Sequence, residues 1–79
     1  MNIIKIELEN GVGILDKLSN VLTRNRVTPT QFALDTKPGH PTGWVSISAE
    51  IGLKEAERLI KQFQRIVEVK TIHLNSSKP

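Results

Sequence analysis

The apolar residues of this chain switch back and forth between two periods, and the order of the switching leaves few folds open. Over residues 2–9, Ile4, Ile6 and Leu8 alternate with Lys5, Glu7 and Glu9, the period of two that marks a strand with one buried face. Asn10-Gly11-Val12-Gly13 ends the alternation with two glycines, and a helical period follows at once. Leu15, Leu18, Val21 and Leu22 then form an apolar stripe over residues 13–25, with Asp16, Lys17, Asn20 and Arg24 on the solvent side. Asn25 is a stop signal, and Pro29 biases Thr28 toward an extended backbone, which predicts a second strand over residues 30–35. Two prolines and two glycines in residues 37–43 demand a loop. The period of two returns over residues 44–51, with Val45, Ile47, Ala49 and Ile51 on one face and Trp44, Ser46, Ser48 and Glu50 on the other. Gly52 opens a second helix whose buried stripe is Leu53, Ala56, Leu59, Ile60, Phe63 and Ile66, ending near Arg65. Residues 69–74 make a last strand through Ile72 and Leu74, and the tail over residues 76–79 has no apolar residue to hold it down, so disorder is expected there.

The order is therefore βαββαβ, read as one domain over residues 2–75. Two amphipathic helices cover one face of a four-stranded antiparallel sheet, the α+β ferredoxin-like sandwich. Right-handed crossovers put the first and third strands in the middle and the second and fourth at the edges. The second strand, Gln31, Phe32, Ala33 and Leu34, is apolar at three consecutive positions. An apolar edge invites pairing with another chain, so a homodimer is expected, either by joining these edges or by stacking helices. With 79 residues and no cysteine, such a domain buries only roughly 60–65% of its unfolded surface, a further reason to expect a partner. No apolar run is long enough to span a bilayer, and the N-terminal stretch is no signal peptide, so a cytoplasmic protein without membrane contact is expected.

Chemistry of its own is not expected. His40 falls in the loop and His73 near the end of the last strand, with no cysteine or carboxylate cluster to complete a metal site. Asp16, Asp35, Glu50 and Glu55 are single carboxylates beside loops, and Ser19, Ser46 and Ser48 lack a His/Asp partner or a nucleophile elbow. RNA-recognition modules of similar topology stack bases on aromatics of the two central strands. The first strand here has none, and the net charge of +3 is mild, with basic character only near Arg24 and Arg26 and at Lys78, so nucleic acid is not expected. Trp44 reads as an anchor for a protein contact. The turn Asn10-Gly11-Val12-Gly13-Ile14-Leu15 has two readings of equal weight. Its glycines could free helix N-terminal N–H groups for a carboxylate, or they could serve only a tight strand-to-helix connection.

Leu8-Glu9-Asn10-Gly11-Val12-Gly13-Ile14-Leu15 resembles the strand, polar turn and Gly-x-Leu helix start of the ACT domains, small βαββαβ modules that bind amino acids. Leu59-Ile60-Lys61-Gln62-Phe63-Gln64-Arg65-Ile66-Val67-Glu68-Val69 is similar to the second-helix run of the small regulatory subunits of acetohydroxyacid (acetolactate) synthase. The resemblance implies a non-catalytic subunit that activates a thiamine-diphosphate-dependent catalytic subunit in branched-chain amino-acid synthesis and confers feedback by valine. Thiamine diphosphate, Mg and FAD would belong to that catalytic subunit, and this chain would hold no cofactor. The family's effector site maps onto Asn10, Gly11, Gly13, Ile14 and Leu15 of one protomer and, after the first helix of its neighbour, onto Thr28. There the family has Gly-aromatic-Asn-Ile, whereas this chain reads Arg26-Val27-Thr28-Pro29, so weak or absent valine feedback is implied. The length is that of the short type of small subunit, which lacks a C-terminal extension. The other reading is a stand-alone ACT module that senses an amino acid for a different enzyme or transcription factor.

Overall fold

A computed structural model describes residues 1–9, 13–36 and 39–76. The elements in chain order are β1 (Asn2–Glu9), α1 (Ile14–Arg24), β2 (Gln31–Thr36), β3 (Thr42–Ala49), α2 (Leu53–Phe63) and β4 (Val69–Ser76). All three strand pairings are antiparallel, and the sheet order is β2-β3-β1-β4. The βαββαβ sandwich with central β1 and β3 is therefore the observed fold. Strand β4 reaches Ser76, which pairs with Asn2, so the strand takes in the first residue assigned to the tail; residues 77–79 lie outside the described residues.

One core forms between the sheet and the helices. Ile4 pairs with Ile47 and Ile6 with Val45 across the central strands, and each of these side chains is at most 1% exposed. Leu18, Val21 and Leu22 of α1 and Leu59 and Phe63 of α2 close over them in the same cluster, with Phe32, Ile72 and Leu74 packed at its margins. Removing side chains of this size from water stabilises the fold by roughly 1.5–3 kcal/mol each. The stripe on α1 is led by Ile14, not by Leu15 as the spacing suggested, because the arc that α1 lays on the sheet is the one holding Ile14, Leu18, Val21 and Leu22, and Leu15 falls at its edge. On α2 the stripe starts at Ala56. Leu53 stays 56% exposed, since a side chain in the first turn leans back past the helix start. In β2 only Phe32 packs inward. Ala33 faces the other side, and Leu34, in register with buried Val45, remains 42% exposed at the edge.

The connections are held by hydrogen bonds that also set the positions of the candidate site. The Asn2 amide Nδ2 donates to the Ile51 carbonyl at 2.6 Å and ties the start of β1 to the approach to α2. Past the end of α1, the Arg26 N–H donates to the Thr23 carbonyl at 3.0 Å and the Val27 N–H to the Leu22 carbonyl at 2.9 Å. This is the paired C-terminal closure in which the residue after the cap turns left-handed. Here that residue is Arg26, at φ 56°, and Val27 completes the motif by joining Leu22 in the core. Asn25 Nδ2 donates to the Val21 carbonyl at 2.6 Å and to Gln62 Oε1 at 2.9 Å, while Gln62 Nε2 returns a bond to Asn25 Oδ1 at 3.1 Å. That reciprocal amide pair locks α1 against α2. At the other end of α1, Lys17 Nζ donates to both Glu68 carboxylate oxygens, at 2.8 and 2.9 Å.

Two expected outcomes follow from these closures. A left-handed conformation costs a residue with a Cβ about 1–2 kcal/mol, partly offset because glycine has more freedom to lose on folding. Arg26→Gly should therefore stabilise the domain by roughly 0.5–1 kcal/mol in urea unfolding followed by circular dichroism; a lower midpoint would contradict this account of the turn. The hydrogen bonds from Lys17 hold the Glu68 carboxyl below its usual pKa of 4.5. A carboxyl whose folded pKa is lowered stabilises the fold above its unfolded pKa and loses that contribution as pH falls through the folded value. Wild type should thus exceed Glu68→Gln in stability at neutral pH, with the gap closing below about pH 4. A gap that persists at pH 2 would assign the effect to packing.

Candidate functional site

The β1–α1 turn reaches its helix through Gly13, which is left-handed at φ 88° and ψ −5°. A Cβ built there would meet no atom of the described residues within 4 Å, and the left-handed backbone is what calls for glycine at this position. Among the described residues no side chain caps α1, and the N-terminal N–H groups of a helix are a favourable place for an anion. Asp16 in the first turn already supplies part of the negative charge this helix end favours. Ile14 is 4% exposed and belongs to the core, so what it can offer a ligand is its backbone. Leu15 is 41% exposed on the same turn. Asn10 and Gly11 lie outside the described residues.

Thr28 is exposed and follows the Arg26–Val27 closure at the opposite end of α1. An eleven-residue helix is roughly 16 Å long, more than one amino-acid ligand spans. Within one chain, then, Gly13 and Thr28 do not meet. A site that uses both needs a second copy laid so that the two ends of α1 come together across the pair.

The remaining residues singled out from the sequence lie on the sheet. Gln31, Phe32, Ala33 and Leu34 occupy β2, an edge strand paired on one side only, with β3. Trp44 is 41% exposed on the face opposite the helices. Its ring stacks on that of His73 with centroids 6.1 Å apart and planes 24° from parallel, within the favourable range for offset rings. The register explains the encounter: Trp44 stands opposite Glu7, His73 opposite Lys5, and the two rings meet across β1. Asp35, His40, Thr42, Gly43 and Trp44 line a small depression of about 260 Å³ at the base of the β2–β3 hairpin.

A larger concavity lies elsewhere, as an open trough of about 950 Å³ between α1 and α2. Lys17 and Arg24 stand on its α1 side, Arg58, Lys61 and Arg65 on its α2 side, and Val21 and Ile66 contribute apolar atoms. The sequence reading found basic character at Arg24 and Arg26 and missed this group. Its signal was the i, i+3 spacing of Arg58 and Lys61 on one face of α2, continued by Arg65 just past the helix end. Among the described residues, no group of three or more His, Asp or Glu side chains is placed to hold a metal ion, and no helix is long and apolar enough to cross a membrane.

No protein-family model matches the chain, and no curated protein matches it either. Solved structures do. The acetolactate synthase small subunit of Thermotoga maritima is similar at a TM-score of 0.82 and 18% identity, covering 92% of this chain and 45% of that one. This chain thus spans less than half the length of that subunit. The ACT domain of GTP pyrophosphokinase from Chlorobium tepidum matches at a TM-score of 0.71 and 18% identity, over 94% of this chain and 95% of that domain. The ACT domain of prephenate dehydrogenase from Bacillus anthracis matches at 0.64 and 12% identity, over 92% and 99%. At these identities the likeness establishes the fold: the chain is a ferredoxin-like βαββαβ sandwich of the kind seen in ACT domains.

Proposed function

We propose that this chain is a non-catalytic regulatory subunit of the acetohydroxyacid synthase type. Its role would be to activate a thiamine-diphosphate-dependent catalytic subunit in the cytoplasm. The observation that carries the reading is the similarity of the whole sandwich to the Thermotoga maritima acetolactate synthase small subunit, joined to the second-helix run over residues 59–69. Two copies pair through the β2 edge, where Phe32 and Leu34 leave apolar surface uncovered. Asn10, Gly11, Gly13, Ile14 and Leu15 of one copy then face Thr28 of the other around an amino-acid effector. Valine is held weakly or not at all, because the Thr28 hydroxyl is shorter than an amide and Pro29 stiffens its backbone. Trp44 and the open sheet face around it, or else α1, contact the catalytic subunit, to which thiamine diphosphate, Mg and FAD belong.

A second reading has its own support. The same sandwich is also similar to the ACT domains of Chlorobium tepidum GTP pyrophosphokinase and Bacillus anthracis prephenate dehydrogenase. An ACT module that stands alone and senses an amino acid for a different enzyme or a transcription factor would share that fold.

The deciding assay is acetolactate formation by the purified catalytic subunit from the same genome, with and without this chain and with and without valine. The expected outcome is a several-fold rise in rate on mixing that valine leaves in place. An unchanged rate, from proteins that also fail to co-elute, would favour the second reading. Strong valine inhibition of the mixed enzyme would overturn the assignment of Thr28 as a poor substitute for asparagine.

A further inference from the structure

The trough between α1 and α2 has a charge pattern that neither the fold nor the effector site requires. Five of the chain's 11 Lys and Arg side chains line it, and no acidic side chain does. Lys17 is held by Glu68 at 2.8 Å. Arg24, Arg58, Lys61 and Arg65 are exposed and form no ion pair among the described residues. Crowding like charges around one trough destabilises the folded chain through their mutual repulsion, and a bound anion would remove that cost. Three of the four free cations are arginines, whose planar forks hold carboxylates with two hydrogen bonds at once.

The spacing narrows the partner. On α1 the cations stand at Lys17, already met by Glu68, and at Arg24, seven residues apart; Arg58 and Lys61 stand on α2, and Arg65 lies two residues past its end, seven after Arg58. Seven residues is two helical turns, about 10.5 Å. Cations recurring at this interval along the trough fit a third helix lying in it and carrying spaced carboxylates that meet Arg24, Arg58, Lys61 and Arg65. Its apolar side would rest on the half-buried Ile66. Polynucleotides fit less well, because no aromatic side chain lines the trough for a base to stack on. The apolar atoms of Ile66 are likewise of no use to a phosphate. We propose that the α1–α2 trough docks an acidic amphipathic helix of a partner protein. The proposal stands apart from the identity of the enzyme regulated, since it draws only on the trough itself.

Fluorescence anisotropy of the intact chain with three labelled probes tests it. One probe is an amphipathic helical peptide with Glu at a two-turn repeat, one is its isomer of equal composition with the Glu positions shuffled, and one is a single-stranded oligo-dT. The first peptide should bind at least about tenfold more tightly than its isomer. The Arg58→Glu/Arg65→Glu double variant should lose at least about tenfold in affinity while keeping its circular dichroism spectrum. Arg58→Lys/Arg65→Lys, which keeps charge but not the fork, should fall in between. Absence of peptide binding, equal binding of both isomers, or unchanged affinity in the charge-reversed variant would each overturn the proposal. Tighter binding of oligo-dT than of the peptide would also overturn it and make the trough a nucleic-acid groove.

Discussion

Everything in this domain is arranged around the antiparallel pairing of β1 with β3 at the centre of the sheet. Through it Ile4 and Ile6 stand opposite Ile47 and Val45 on the one face that the helices cover. A sheet apolar on a single face needs only one layer above it. The opposite face carries polar side chains such as Ser46 and Thr71 beside Ile3, with the Trp44–His73 stack across β1. Among the described residues no buried polar side-chain atom lacks a hydrogen-bond partner. The interior therefore holds the fold together and offers no chemistry, and whatever the chain does takes place on its surfaces.

Those surfaces are of three kinds, and each follows from the same layering. The β2 edge is open because a four-stranded sheet of this topology ends there. The two ends of α1 are separated by the length of the helix, so Gly13 and Thr28 become one site only when two copies bring opposite ends together. The α1–α2 trough exists because two antiparallel helices rest side by side on the sheet, fastened by the Asn25–Gln62 amide pair. A sandwich of this type serves many unrelated functions. Those distinct surfaces, more than the fold, must therefore carry the specificity of this chain.

The strands and helices were legible because their periods are strong, and right-handed crossovers left one sheet order. Less legible were features that depend on distant residues meeting. Leu15 and Ile14 compete for one stripe, and only the direction in which α1 lies on the sheet decides between them. The Trp44–His73 stack needs the register of β3 against β1 and of β1 against β4, which no local pattern encodes. The basic trough draws its walls from residues more than thirty positions apart along the chain. Arg26 defeated the usual signal for a left-handed turn, since its side chain stands where glycine is expected.

Sedimentation equilibrium on the wild-type chain and on Leu34→Lys tests most directly whether two copies share the β2 edge, as the proposed effector site between two copies requires. Pairing along β2 predicts a wild-type dimer and a folded monomer for the variant, because a charge at an edge position opposes strand addition. A wild type that stays monomeric at every concentration, or a variant that dimerises as wild type does, would contradict it.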